Sequence, residues 1–253
     1  MHIGILCAMP QEIGSLIDNL KILNETSYGD LKIISGEWFD KNNNKGNILI
    51  SVAWSGWGKV SAARAATRLI SNPYLGKQLE LILFTGVAGA AASSLKQWDV
   101  IIPDQLIQHD MDASPLFKKY FIPSLNKDKI LAKNDLVAWA CDILIEGLRQ
   151  INLDKFGLIQ KGLIATGDKF ISDKNSIKDL SSELPGLMAV EMEGAAFAQV
   201  ATQENIPWLI VRVISDQADE SAAQSFTDFL KDFEKYSWFL IKIILQNINK
   251  APK

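Results

Sequence analysis

The 253-residue chain predicts a single α/β domain spanning residues 1–253, with a mixed β-sheet sandwiched by helices. Three observations carry that prediction. Short β-rich apolar runs alternate with helical patterns along most of the length. Two runs, residues 81–84 and 209–214, are nearly continuous in apolar character, as strands covered by helices on both faces require. No repeat, low-complexity tract or Pro/Gly-rich linker divides the chain. At this length about 70–75% of the unfolded surface can be buried, enough for one large core.

Taken in order, the strand signals fall at residues 2–8, 32–35, 47–54, 79–85, 99–108, 162–166, 188–191 and 208–214. Asn42-Asn43-Asn44-Lys45-Gly46 reads as a turn between two strands, so part of the sheet is antiparallel. After Gly58 a helix over 59–70 places Val60, Ala63, Thr67 and Ile70 on one face. Asn134 is an N-cap candidate for a helix burying Leu136, Ala140, Ile143 and Leu144. The C-terminal helix buries Phe229, Phe233, Leu240 and Ile244, and Lys231, Lys235 and Lys242 interrupt it at helical spacing.

Composition removes several function classes. Lys and Arg total 26 against 29 Asp and Glu, a net charge of −3, which argues against a dedicated nucleic-acid binder. Cys7 and Cys141 are too few for a disulfide framework, and His2 and His109 leave little for a histidine metal site. The start of the chain lacks the basic and apolar regions of a signal peptide. The most apolar interior stretch, residues 81–92, is shorter than the ~18 residues of a membrane-spanning helix. These readings place the protein in the cytoplasm, away from membranes.

Two glycine-rich stretches invite phosphate readings. Ser55-Gly56-Trp57-Gly58-Lys59-Val60 follows a strand and opens a helix, the setting for anion binding. Yet Val60 and Ala53 stand where a P-loop needs Ser or Thr and Gly, and neither this loop nor Gly86-Val87-Ala88-Gly89 has dinucleotide-binding spacing. Taken alone, these glycines simply allow tight strand-to-helix turns. The acids say more. Glu12 opens a helix just beyond the first strand, Glu191 and Glu193 flank Met192 after another, and Asp216 ends a third. Individually, Glu12 can be a glutamate complementing a helix dipole and Asp216 a turn or capping aspartate. Together they sit at strand ends, where open α/β sheets bind ligands, and would converge on one pocket.

Six segments occur in a specific order: Ala8-Met9-Pro10-Gln11-Glu12, Ser55-Gly56-Trp57-Gly58-Lys59, Thr85-Gly86-Val87-Ala88-Gly89, Gly167-Asp168-Lys169-Phe170-Ile171, Val190-Glu191-Met192-Glu193 and Arg212-Val213-Ile214-Ser215-Asp216. In that order they closely resemble the 5'-methylthioadenosine/S-adenosylhomocysteine nucleosidases of the nucleoside phosphorylase superfamily, and the resemblance runs from Met1 to about Leu245. It implies a central twisted mixed sheet flanked by helices, hydrolysis of an adenine–ribose bond, and no metal or organic cofactor. It implies a nucleoside substrate, water as second reactant, and a homodimer in which the segment 109–117 (Pro115, Leu116 or Phe117) reaches over the neighbour's pocket. Packing of Leu116 and Phe117 within their own subunit is the alternative.

Residue by residue, the resemblance gives Asp216 the role of acid toward adenine N7, with Ser215 orienting it. Glu12 is the base toward water, and Arg212 helps hold that water and keeps Glu12 ionised. Glu193 grips both ribose hydroxyls, Met192 packs on the ribose, Phe170 stacks on adenine, the Ile171 backbone reads the base edge, and Ala88 and Gly89 permit close approach. Two positions depart from the family's bacterial pattern: Val87 stands where serine is usual, and Trp57 where a small aliphatic residue is usual. Val87 removes a hydroxyl near the water, and Trp57 narrows the region of the 5' substituent unless it packs on the helix 59–70 instead. The alternatives are a futalosine-type nucleosidase or a phosphorolytic enzyme on the same scaffold, and a non-catalytic nucleoside-binding protein.

Overall fold

The computed structural model describes residues 1–39 and 48–252. Among the described residues ten strands build one mixed sheet: β1 (His2–Cys7), β2 (Leu20–Tyr28), β3 (Leu31–Trp38), β4 (Ile48–Trp54), β5 (Leu81–Ala90), β6 (Val100–Gln108), β7 (Ile130–Leu131), β8 (Ile159–Thr166), β9 (Leu187–Glu191) and β10 (Trp208–Asp216). Five α-helices cover it: α1 (Lys59–Ile70), α2 (Asn134–Gln150), α3 (Lys174–Glu183), α4 (Gly194–Gln203) and α5 (Ala222–Asn247). The strand order is β10-β6-β8-β9-β5-β1-β4-β3-β2, with β7 paired antiparallel to β6 off this path, and β10 also pairs with β5. That second pairing bends β5, β10, β6, β8 and β9 into a closed ring. The ring brings the carboxyl ends of β5, β9 and β10 together, with Gly89 opposite both Asp216 and Val190.

All eight strand signals correspond to strands. In β10 every residue from Trp208 to Asp216 is buried, as the continuous apolar run predicts. The antiparallel expectation holds for β3 and β4, where Trp38 faces Ile48. The turn at 42–46 that would join them lies outside the described residues. Unanticipated are β2, whose residues after Leu20 are all half-buried or exposed, the two-residue β7, and the helices α3 and α4. Asp173 caps α3 by accepting a 2.7 Å hydrogen bond from the Ser176 amide, a local rather than periodic signal.

Two helix readings need correction. In α1 the buried face is Ala62, Ala65, Ala66, Leu69 and Ile70, while Val60 is 80% exposed. The alanines let α1 lie close against α4, itself alanine-rich, so small side chains and not the β-branched Val60 mark the face. In α2, Asn134 is the first helical residue and Lys133 holds the N-cap position; the buried face is Leu136, Val137, Ala140, Leu144 and Leu148, with Ile143 only half-buried. The C-terminal helix buries Phe229, Phe233, Leu240 and Ile244 as its spacing predicts. No described helix is long and apolar enough to cross a membrane.

Candidate active site

At the closed end of the ring lies a pocket of about 570 Å³, including its mouth. Its lining includes Glu12, Ala88, Gly89, Phe170, Ile171, Met192, Glu193, Ser215 and Asp216. The strand-end acids, distant in sequence, thus share one cavity. Arg212 lies immediately behind it, 1% exposed on β10.

Glu12 does not open a helix. It closes a short 3₁₀ turn, Pro10–Glu12, that follows β1, and its carboxylate folds back onto the chain. Oε2 accepts from the amides of Ala8 at 2.7 Å and Met9 at 2.9 Å, and Oε1 accepts from the Val87 amide at 3.2 Å. Burial pushes its carboxyl above the ordinary range, against the opposing pull of the Arg212 guanidinium and those amides. Arg212 favours the ionised form of Glu12. Its ion pair is with Glu191, Nη2 to Oε2 at 2.8 Å, and its guanidinium stacks 4.3 Å over the Phe84 ring. The Nε and Nη1 atoms of Arg212 are buried and meet no acceptor among the described residues. A Cβ on Gly86 would meet Glu12 Oε1 at 2.6 Å and Arg212 Nη1 at 2.7 Å, so only glycine leaves the space between base and cation. A guanidinium donor and a carboxylate acceptor facing one small space are the partners a water molecule needs.

Glu191 and Glu193, two residues apart, serve different ends. Glu191 is consumed by structure: it accepts from Thr166 Oγ1, from the Glu193 and Gly194 amides at 3.0 and 2.7 Å, and from Arg212. Glu193 occupies the N-cap position of α4, and its Oε1 accepts a 2.8 Å bond from the Gly58 amide. Burial, reinforced by the neighbouring Glu191, pushes its carboxyl up to about 8.

Asp216 lies at a bulge where the register of β10 on β5 skips a residue between Ile214 and Asp216. Its Oδ2 accepts from the Ser215 hydroxyl at 2.6 Å and its Oδ1 from the Ala218 amide at 2.8 Å. Burial raises its carboxyl above the ordinary aspartate range, opposed by those two donors. Gly89 has a sharper role than a smooth wall. A Cβ there would stand 3.1 Å from Asp216 Oδ1 and from the Ala218 Cβ, so the glycine admits the acid itself.

The mouth is aromatic. Phe226, from the second turn of α5, meets Trp57 edge-on with centroids 6.1 Å apart and Phe170 edge-on at 5.8 Å. Trp57 lines the pocket and does not pack away on α1, yet it is 54% exposed. Phe226, Met9 and Lys169 were missed in the sequence. Phe226 stands three residues before Phe229, so extending the apolar periodicity of α5 toward its N-terminus would have found it. The Lys59 ammonium, which a phosphate loop would aim at its ligand, is tied down by Asp110 at 2.6 Å and Gln108 at 3.2 Å. Asp110 also accepts from the Asp168 amide at 2.9 Å, and Asp168 from the Lys59 amide at 2.7 Å. This clasp links the Gly58 loop, which holds Glu193, to the loop carrying Phe170. Among the described residues no cluster of His, Cys, Asp and Glu has the arrangement of a metal site.

Residues 2–248 match the family model described as the phosphorylase superfamily. The chain belongs to that superfamily. Within it the protein groups with the nucleosidases, which are N-glycosyl hydrolases, and is an enzyme of that class. A 5'-methylthioadenosine/S-adenosylhomocysteine nucleosidase from Haemophilus influenzae is 34% identical over 243 residues, covering 95% of this chain and 96% of the relative. The Neisseria meningitidis nucleosidase bearing that same name, solved with methylthio-immucillin-A, superposes with a TM-score of 0.82 at 28% identity, covering 97% of this chain and 99% of that one. A futalosine hydrolase of Helicobacter pylori superposes equally well, with a TM-score of 0.82, 32% identity and 98% of each chain covered. Proteins with these two different names therefore share the scaffold of this chain.

Proposed function

We propose that this enzyme hydrolyses the N-glycosidic bond of 5'-substituted adenine nucleosides, 5'-methylthioadenosine and S-adenosylhomocysteine, releasing adenine and the 5-thio-ribose. The observation that carries the reading is that three of the pocket's four buried acids, Glu12, Glu193 and Asp216, stand in different environments. Asp216 is raised by burial and oriented by Ser215, as an acid must be to hold a proton for transfer. Glu12 is held by three amides beside a cation, and Glu193 is held by the Gly58 amide at the opposite wall.

The reaction follows from those placements. Asp216 gives its proton to adenine N7 as the C1'–N9 bond breaks and its electron pair enters the base. Positive charge grows on the ribose, where hydroxyls bound to an ionised Glu193 make it more favourable. Water, between Glu12 and Arg212, attacks C1' and gives a proton to Glu12; return of that proton to Asp216 through solvent completes the cycle. Raised carboxyls suit both jobs, since a base matched to the working pH takes a proton more effectively. Burial holds the Glu193 carboxyl up to about 8 before substrate binds, and two hydroxyl donors favour its ionised form.

Phe170 stacks on adenine, Ile171 presents its backbone to the base edge, Met192 packs on the sugar, and Ala88 and Gly89 line the approach. The aromatic mouth takes the 5' substituent. We place the enzyme in the cytoplasm as a homodimer. Leu116 is 83% exposed and Phe117 stacks only on Phe121, at 5.2 Å, which suits a segment that completes a neighbour's pocket. A futalosine-type activity is the second reading, favoured by the Helicobacter pylori likeness. The test is incubation of the pure protein with each nucleoside in phosphate-free buffer while adenine and sugar are followed. Adenine release from methylthioadenosine supports the proposal; release only with added phosphate, or only from a futalosine, refutes it.

A further inference from the structure

Asp216 is the one pocket acid whose strand has left its ladder. The register of β10 on β5 pairs Ile214 with Ala88 and Asp216 with Gly89, skipping Ser215. On the other side β6 pairs only as far as Val213, opposite Val100. Beyond that point the strand's polar groups are met by the turn of residues 95–99 that precedes β6. The Trp98 amide donates to the Ile214 carbonyl at 2.9 Å, and the Ile214 amide donates to the Asp99 carbonyl at 2.8 Å. The side-chain amide of Gln97 donates to the Ser215 carbonyl at 2.7 Å, and that of Gln217 to the Leu95 carbonyl at 3.3 Å. The carbonyl that the bulge releases is thereby held by a side chain.

The turn is itself pinned. Asp99, buried, accepts from the Lys96 and Leu158 amides, each at 2.8 Å. Trp98 has φ of 76°, a left-handed conformation that bulky residues rarely adopt and that surrounding structure must enforce. Its indole is packed against Phe156, Phe229, Phe233 and Tyr236, with the Lys155 ammonium 4.2 Å over the ring. An anchored turn thus presents one amide donor to the peptide that carries the acid.

We infer that Gln97 is a positioning residue for Asp216: by holding the Ser215 carbonyl it fixes the bulged peptide and so the direction of the carboxyl toward the base. The inference rests on the acid role proposed above. Gln97 lies at the surface with only its amide reaching inward, so replacing it leaves the core intact.

The test compares Gln97→Leu and Gln97→Glu, which cannot donate at neutral pH, with Gln97→Arg, which can. In both non-donors kcat for adenine release falls about tenfold, the scale of a small misalignment of a reacting group, while KM stays within about twofold. Gln97→Arg recovers most of kcat. A second readout needs no turnover: hydrogen exchange of the Ala218 amide, which donates to Asp216 Oδ1, quickens about tenfold in Gln97→Leu and recovers in Gln97→Arg. Unchanged kcat in the folded non-donors, or a loss that arginine does not recover, overturns the inference. A wild type that releases no adenine refutes the proposed activity instead, and the exchange measurement then decides whether Gln97 holds the bulge.

Discussion

The floor and the mouth of the pocket are built to opposite standards. On the floor, Glu12, Glu193, Asp216 and Arg212 are 1–7% exposed, and the three carboxylates are each fixed by one to three backbone amides. At the mouth, Trp57 and Phe170 are 54% and 38% exposed and touch Phe226 only by ring edges. Backbone donors on sheet ends are rigid and nearly independent of side-chain identity, so they suit chemistry that tolerates little displacement. Edge-to-face rings on a loop and a helix end can be exchanged without disturbing the sheet. On the function proposed above, the difference assigns turnover to the floor and substrate choice to the mouth.

The largest expected break comes from Asp216→Asn, which keeps shape but has no carboxyl proton to give. Turnover falls by about 10²–10⁴ with nucleoside affinity little changed. In the wild type kcat/KM falls at low pH as Glu12 and Glu193 gain protons and at high pH as Asp216 loses one. Both limbs stand above ordinary carboxyl values because burial raises all three groups. The alkaline limb disappears in Asp216→Asn, and wild-type turnover in that variant would remove the residue from its role.

Next in size is Glu12→Gln, expected to slow hydrolysis by about 10²–10³ while leaving a stable complex, because this base acts on water. Crystals soaked with methylthioadenosine should show intact nucleoside; adenine and free sugar after a brief soak would count against the assignment.

Glu193→Gln separates stability from function. A carboxyl held at about 8 when folded and near 4.5 when unfolded binds more protons in the native state. Its contribution is therefore full below pH 4.5 and is lost as pH rises toward 8. Three units of that window correspond to about 4 kcal/mol, an upper bound for the gain from glutamine at pH 7.5. The variant should unfold at higher temperature at pH 7.5 than the wild type, by less at pH 5, and lose about 10- to 100-fold in kcat/KM. A variant less stable at pH 7.5 would show that burial of this acid is not a strain on the fold.

The smallest effect is at the mouth. Trp57 fills space beside the 5' substituent and offers a sulfur–aromatic contact of about 0.3–1.5 kcal/mol to a methylthio group. Specificity constants should favour methylthioadenosine over adenosylhomocysteine, and Trp57→Ile should narrow the gap, within the ~1–3 kcal/mol one pocket wall commands.

The sequence was most legible where a signal is local or continuous. The unbroken apolar runs of β5 and β10 located the buried strands, and the acids at strand ends located the floor. The α1 face was misread because Ala62, Ala65 and Ala66 are marked by a close helix contact that periodicity of large apolar residues does not register. Glu191 and Glu193 look alike in sequence, and only the fold assigns one to Arg212 and the other to the pocket. Gln97 reaches its partner across 118 residues, a distance over which spacing carries no information.

The contrast between floor and mouth is tested most directly by one ratio, kcat/KM for methylthioadenosine over kcat/KM for adenosylhomocysteine, in the wild type, Asp216→Asn and Trp57→Ile. The account predicts that Asp216→Asn depresses both constants by about 10²–10⁴ and leaves their ratio within about twofold. It predicts that Trp57→Ile moves the ratio while turnover of methylthioadenosine stays within about threefold. A ratio shifted by Asp216→Asn, or unmoved by Trp57→Ile, would contradict it.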